Sequence, residues 1–207
     1  DVVAEAMDHI PKYTRLQRVQ RDIPADFIEG GVWKSNLRQL ADQRANEKGI
    51  VQRDIRAREV GHNDADPDPD DVELDVMTYE AGGGTEHFIS FEDPVRDLLV
   101  GFCRLRFPSF APDQPGAPGA EGDAIRRELE DAALIREIHV YGSEVAIGGD
   151  GDWQHRGYGT ELLERAEELA RDAGYRKMAV ISGIGAREYY RNKLGYHQDG
   201  PYVSKRL

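Results

Sequence analysis

A chain of 207 residues with 39% hydrophobic content can bury one full core plus an extension, and no apolar run approaches the roughly 18 residues of a membrane helix. The net charge of −12, from 39 acidic and 27 basic residues, argues against nucleic-acid binding over the whole surface, and the single cysteine excludes an internal disulfide. Lysine is sparse beside arginine and aspartate is abundant. That pattern suits an ordinary acidic cytosolic protein or, better, a very salty cytoplasm, where the Debye length falls to about 3 Å near ~1 M salt.

Residues 1–61 read as a basic helical segment. The chain opens at Asp1 in mid-pattern, which suggests a piece of something longer. Between Pro11 and Arg58 stand 11 Lys or Arg against six acids, a surplus of five, so the rest of the chain carries −17. Trp33 to Lys48 is predicted helical, with Leu37, Leu40, Arg44 and Lys48 in register. Arg15, Arg18 and Lys34 are candidate RNA-phosphate contacts, the alternative being a surface that docks on another domain. Residues 62–75 hold seven acids and no base, with Pro67 and Pro69, and read as a flexible acidic linker. The acids lack the spacing and the glycine of a calcium loop, so no metal is expected.

A second domain is expected over 76–207. Its strands begin at the end of the linker: Val72 to Glu80, Thr85 to Glu92 and Leu98 to Phe107, with a turn at Gly82-Gly83-Gly84 and a connection from Asp93-Pro94. Cys103 lies on the third of these and reads as a small core residue. Residues 108–122 and 142–153 are rich in glycine with proline or acids and read as surface loops. Glu128 to Tyr141 between them is the predicted central strand.

Gln154-His155-Arg156-Gly157-Tyr158-Gly159 follows, and a helix begins at once. Leu162, Leu163, Ala166, Leu169, Ala170 and Ala173 share one face. Glu161, Glu164, Arg165, Glu167, Glu168, Arg171 and Asp172 fill the other, and Gly174 ends the helix. Glycines without Cβ atoms at a helix start let an anion approach unpaired N–H groups, here those of Arg156, Gly157, Tyr158, Gly159 and Thr160. Taken alone the pattern also fits a glycine-rich turn that merely opens a surface helix. Met178 to Ile181 then reads as a doubly buried strand, Arg187 to Leu194 as a short helix, and Tyr202 to Leu207 as the strand that closes the sheet.

Strand, Gln-x-x-Gly-x-Gly, long helix, buried strand resembles the GNAT acetyltransferase superfamily. Val180-Ile181-Ser182-Gly183, Arg187-Glu188-Tyr189-Tyr190-Arg191, Leu194-Gly195-Tyr196 and Asp199-Gly200-Pro201-Tyr202 look like the acetyltransferase end of the Elongator catalytic subunit family. So do Glu137 to Gly142 and Arg56 to Gly61. The resemblance implies an α/β fold: a mixed, mostly antiparallel sheet flanked by helices, with an N-terminal helical extension. It implies acetyl-CoA as cofactor, with pyrophosphate at Gln154, Arg156, Gly157, Tyr158, Gly159 and Thr160, and the pantetheine arm along Ile138, His139 and Val140. Tyr190, or second Tyr189, would donate to the leaving thiolate. By their spacing of two, Glu137 and His139 share a strand face and are candidates for a base or for orienting water, the alternative for His139 being a satisfied structural histidine. His155 and Trp153 would shape the loop.

By the same resemblance the partner is tRNA, whose wobble uridine is carboxymethylated with the help of a radical S-adenosylmethionine half. That half needs three cysteines for its iron–sulfur cluster, and this sequence has only Cys103. Val51, Gln52 and Ala57 stand where some family members carry zinc-binding cysteines. Two other readings stay open: an ordinary N-acetyltransferase for a protein or small-molecule amine, and a non-catalytic CoA- or RNA-binding module.

Overall fold

The computed structural model describes residues 1–17, 19, 25–27, 29–31, 36–61, 66–108, 127–141 and 157–207. The expected helical start at Trp33 to Ser35, residues 62–65, and the loops expected over 109–122 and 142–153 lie outside the described residues. The chain divides into two compact units, Asp1–Asp66 and Pro67–Leu207.

In the first unit a short helix α1 (Val2–Met7) meets α2 (Leu37–Glu47), and a single turn α3 (Ile55–Arg58) follows. The buried side of α2 is Ala41 and Ala45, while Leu40 stays 37% exposed. The register drawn through Leu37 and Leu40 is therefore replaced by one of small residues. They let α1 approach closely with its buried Ala4 and Met7. Asp54 caps α3 by accepting from the Arg56 N–H at 3.2 Å, and also takes the Leu16 N–H at 3.2 Å.

The second unit is one seven-stranded sheet in the order β1-β2-β3-β4-β5-β7-β6. Its strands are β1 (Glu73–Ala81), β2 (Gly84–Asp93), β3 (Leu98–Phe107), β4 (Ala132–Val140), β5 (Lys177–Val180), β6 (His197–Asp199) and β7 (Tyr202–Arg206). Among the described strands only β4 and β5 run parallel, and α4 (Tyr158–Asp172) lies between them in sequence. This is the mixed, mostly antiparallel sheet expected. β4 is shorter than the predicted strand, because a 3-10 turn occupies Arg127–Leu129 and Asp131 has a φ of 54°. β7 does not close the sheet. The hairpin at Gly200 adds the three-residue β6 outside it.

The core is formed by Phe88, Ile89, Leu99, Val100, Phe102, Cys103, Leu105 and Ile135, with Leu162 and Ala166 from α4. The described end of the acidic stretch is tethered to this unit. Asp93, fully buried at the β2–β3 turn, accepts the Asp68 N–H at 3.1 Å, and Arg96 pairs with Asp71 at 2.7 Å. Residues 67–72 thus lead directly into β1 and are held against the sheet. Among the described residues no helix is long and apolar enough to cross a membrane.

Candidate active site

Pairing between β4 and β5 runs from Ala132 opposite Lys177 to Ile135 opposite Val180. The Ile181 N–H then donates to the Ile135 carbonyl at 3.1 Å. At that level β4 carries one extra residue. Leu105 faces Ile135 and Arg104 faces Glu137, which leaves Arg136 unopposed on β3. A bulge bends its strand and increases the twist. From there β4 stays with β3, while the chain after β5 turns away through Ile184–Ala186 into α5 (Arg187–Lys193). A wedge opens between them.

The Tyr141 N–H donates to the Val100 carbonyl at 2.8 Å, on the β3 side. Main-chain groups alternate sides along a strand, so His139 also addresses β3. The N–H and C=O groups of Ile138 and Val140 therefore address the wedge. Inside it is a cleft of about 210 Å³, lined by Ile138, Val140, Gly159, Leu163, Tyr189 and Tyr190, with His139 at its border.

The first turn of α4 forms one wall. Gly157 has a φ of 87°, a left-handed conformation that a residue with Cβ enters only under strain. The Thr160 N–H donates to the Gly157 carbonyl at 2.8 Å. The expectation that this amide is free for a phosphate is thus corrected, because the turn tightens onto Gly157. The N–H groups of Tyr158 and Gly159 have no acceptor among the described residues. The Tyr158 ring is core, packed at 4.6 Å on Phe91. At Gly159 an added Cβ would stand an ordinary 3.7 Å from Val140 Cγ2. The protein's own packing does not demand glycine there, and its absence of side chain keeps the cleft open. An exposed strand edge, free helix-start amides and a bare glycine wall fit an acyl-CoA arm and its pyrophosphate. Gln154 and Arg156 lie outside the described residues.

The other wall is α5. Tyr190 is 6% exposed, whereas Tyr189 is 39% exposed and its hydroxyl lies 3.3 Å from Thr160 Oγ1. Burial, with Cys103 and Tyr189 nearby, pushes the Tyr190 hydroxyl well above the ordinary tyrosine range, so its proton stays on oxygen at neutral pH. Burial likewise keeps Cys103 a thiol, and it is a core residue. Glu137 and His139 share the opposite face from Ile138 and Val140. Arg104 Nε donates to Glu137 Oε2 at 3.0 Å, and the His139 ring stands 4.5 Å from that of Tyr141.

The Acetyltransferase (GNAT) family matches residues 53–196. The chain belongs to this family. Over its whole length it is 44% identical to Elongator complex protein 3 of Drosophila melanogaster, of which it covers 36%. It is also 44% identical to a protein named tRNA uridine(34) acetyltransferase in Methanocaldococcus infernus, of which it covers 38%. The solved structure of the archaeal Methanocaldococcus infernus Elp3 with an N-terminal deletion superposes with a TM-score of 0.84 at 43% identity, over the entire chain and 47% of that protein. The chain thus spans little more than a third of the curated relatives it matches.

The GNAT cleft also rests on residues that the sequence reading missed or misplaced. Glu167, assigned to the solvated face of α4, is 3% exposed. It accepts from the Tyr196 hydroxyl at 2.9 Å, Lys205 Nζ at 2.9 Å and Arg171 Nη2 at 3.0 Å. Its spacing of four from Leu163 and three from Ala170 puts it on the apolar stripe, which was the available signal. Ala173, assigned to that stripe, is exposed.

Of the three cations proposed for RNA, Arg18 and Lys34 lie outside the described residues. Arg15 is joined through both terminal nitrogens to Glu59, which is buried, with one contact at 3.0 Å.

Proposed function

We propose that this GNAT chain is the acetyl-CoA-binding part of an enzyme that carboxymethylates the wobble uridine of tRNA in the cytoplasm. One observation carries the reading. The unpaired edge of β4 at Ile138 and Val140 lies across a narrow cleft from the buried Tyr190. Bound acetyl-CoA supplies an activated acetyl group on a thioester. The N–H groups of Tyr158 and Gly159 receive the pyrophosphate, helped by the α4 dipole, with Gln154 and Arg156 proposed as further contacts. Ile138 and Val140 offer main-chain donors and acceptors to the amides of the arm, and one donor polarises the acyl oxygen. Tyr190 keeps its proton and donates a hydrogen bond to the sulfur. Glu137 and His139 hold or orient a water from the opposite face.

The names of the relatives support tRNA as the substrate. S-adenosylmethionine and an iron–sulfur cluster belong to a radical half. A three-thiolate motif for it would have to lie outside these 207 residues, which hold one cysteine. RNA contact from the first unit is proposed through Arg53 and Arg56, which are exposed, beside Arg18 and Lys34.

The test is calorimetric binding of acetyl-CoA, then hydrolysis with and without tRNA, then mass spectrometry of the tRNA. Micromolar-range binding, hydrolysis that responds to tRNA, and no added mass at uridine are the expected results. An acetyl group on an offered amine without tRNA would install the ordinary N-acetyltransferase instead.

A further inference from the structure

Burying a carboxylate is costly unless it is paired and hydrogen-bonded. Glu167 meets that condition with two cations and one phenol, and the phenol is the informative partner. Tyr196 is 4% exposed, and its hydroxyl end is fixed by Glu167 on α4. Lys205 Nζ, on the same carboxylate, also stands 5.5 Å from the Tyr196 ring centroid. The Tyr196 ring packs against that of Tyr190, with centroids 5.6 Å apart at 72°, an edge-to-face arrangement. The main chain repeats the link, since the Tyr190 carbonyl accepts the Tyr196 N–H at 3.1 Å and the Leu194 N–H at 3.2 Å. Gly195, at a φ of 75°, makes that reversal possible. One continuous path therefore runs from the helix that opens at the Gly157 turn, through Glu167 and Tyr196, to the hydroxyl-bearing ring in the cleft.

We propose that Glu167 and Tyr196 are positioning residues for Tyr190, holding its hydroxyl where it can donate to the sulfur of bound CoA. The inference rests on the reading of Tyr190 as that donor. Tyr190 stands on a seven-residue helix with exposed neighbours on both sides, and Tyr196 is the ring that packs on it while being hydrogen-bonded at its own far end. The Glu167 cluster supplies that anchor from α4 and β7 together.

The readout is the thiol of bound CoA, followed by thiolate absorbance against pH in the full 207-residue chain. A donor to the sulfur stabilises the thiolate and lowers the pH at which the bound thiol ionises. Tyr190→Phe should raise that pH toward the value of free CoA. Tyr196→Phe, which keeps the ring and removes only its anchor, should raise it in the same direction by less. Glu167→Gln should do likewise, and the Tyr190→Phe/Tyr196→Phe double variant should match Tyr190→Phe alone. A cluster that merely staples α4 to β7 would lower thermal stability in the variants and leave the bound thiol at its wild-type value, which overturns the proposal. Additive shifts in the double variant overturn it too. Should Tyr196→Phe not fold, Arg171→Gln, which removes an exposed donor to Glu167, takes its place with the same expected direction. If Tyr190→Phe itself leaves the thiol unmoved, the donor assignment fails and this inference falls with it. An unmoved Tyr196→Phe beside a shifted Tyr190→Phe removes this inference alone.

Discussion

The hydroxyl of Tyr189 lies 3.3 Å from the hydroxyl of Thr160, joining α5 to the first turn of α4 across the mouth of the cleft. The two side chains come from opposite walls of the wedge, so their contact sets its width. Tyr189 is 39% exposed, and a hydrogen bond at a wet site contributes toward the low end of about 0.5–1.5 kcal/mol. Tyr189→Phe should therefore weaken acetyl-CoA binding by a few-fold, read by calorimetry, with no loss of fold. A Tyr189→Phe affinity equal to that of Tyr190→Phe would give the two rings equal roles.

Gly157 and Gly159 should separate into two kinds of glycine. Gly157→Ala places a Cβ at a φ of 87° and should destabilise by about 1–2 kcal/mol, seen as a lower Tm. Gly159→Ala meets Val140 at an ordinary distance, so its stability should stay near wild type. The added methyl stands on the cleft wall, and CoA affinity should fall at least as far as in Gly157→Ala. Full affinity in a stable Gly159→Ala protein would move the cofactor off this wall.

Stability should fall at high pH. Burial first, then Cys103 and Tyr189 for Tyr190 and Glu167 for Tyr196, raise both hydroxyls above the unfolded value near pH ~10. A group whose folded value is raised contributes stability that is complete below the unfolded value and disappears as pH climbs through the folded one. Denaturant melts should therefore show a steep loss above about pH 10, and Tyr196→Phe should make it shallower. A loss equally steep in Tyr196→Phe would assign it to other groups.

At the acid end Asp93 acts in the other direction. Burial alone would raise its carboxyl, but the N–H groups of Arg96 and Asp68 and the Arg96 guanidinium outweigh this and hold it below the usual carboxylate range. Its contribution is present above the unfolded value near pH ~4 and is lost as pH falls through the lower folded one. Asp93→Asn should cost stability at neutral pH and flatten the acid limb of the unfolding curve. An unchanged limb would place the acid sensitivity elsewhere.

RNA contact by the first unit predicts a graded salt response. Each neutralised phosphate should add nearly one log unit of affinity loss per log unit of salt. Arg53→Glu and Arg56→Glu should flatten that slope in a folded protein. Arg15→Glu should instead place a second carboxylate beside the buried Glu59 and lower the Tm. A normal Tm with a flattened slope for Arg15→Glu would restore Arg15 as an RNA contact.

β1 to β4 and the long helix were legible because each runs nine residues or more, and the four-residue β5 because Met178 to Val180 is an unbroken apolar run. β6 was not, since three residues cannot show alternation. Glu167 is hard to place because charge suggests exposure, and only its spacings from Leu163 and Ala170 say otherwise. The surplus of base over residues 11–58 was legible, but its placement was not. Arg44 pairs with Asp1, just before α1, and Lys48 with Glu5 of α1, each more than forty positions away. Ile138, His139, Val140, Gly159, Tyr189 and Tyr190 were named from sequence and converge on one cleft. The bulge that opens it was invisible, because Arg136 becomes an extra residue only by comparison with β3.

The second half of β4 is an outer strand placed in the middle of a sheet. An unpaired row of main-chain donors and acceptors is a template on which a foreign strand can add, which is how sheets polymerise. The true outer strands carry protection: β1 presents Glu73, Asp75 and Glu80, and β6 is too short to seed a ladder. Between Arg136 and Val140 the wedge side has neither device beyond its recess between α4 and α5. Whatever fills that recess therefore also keeps one copy of the chain from adding to another, so the ligand-free protein should be the form that associates with itself.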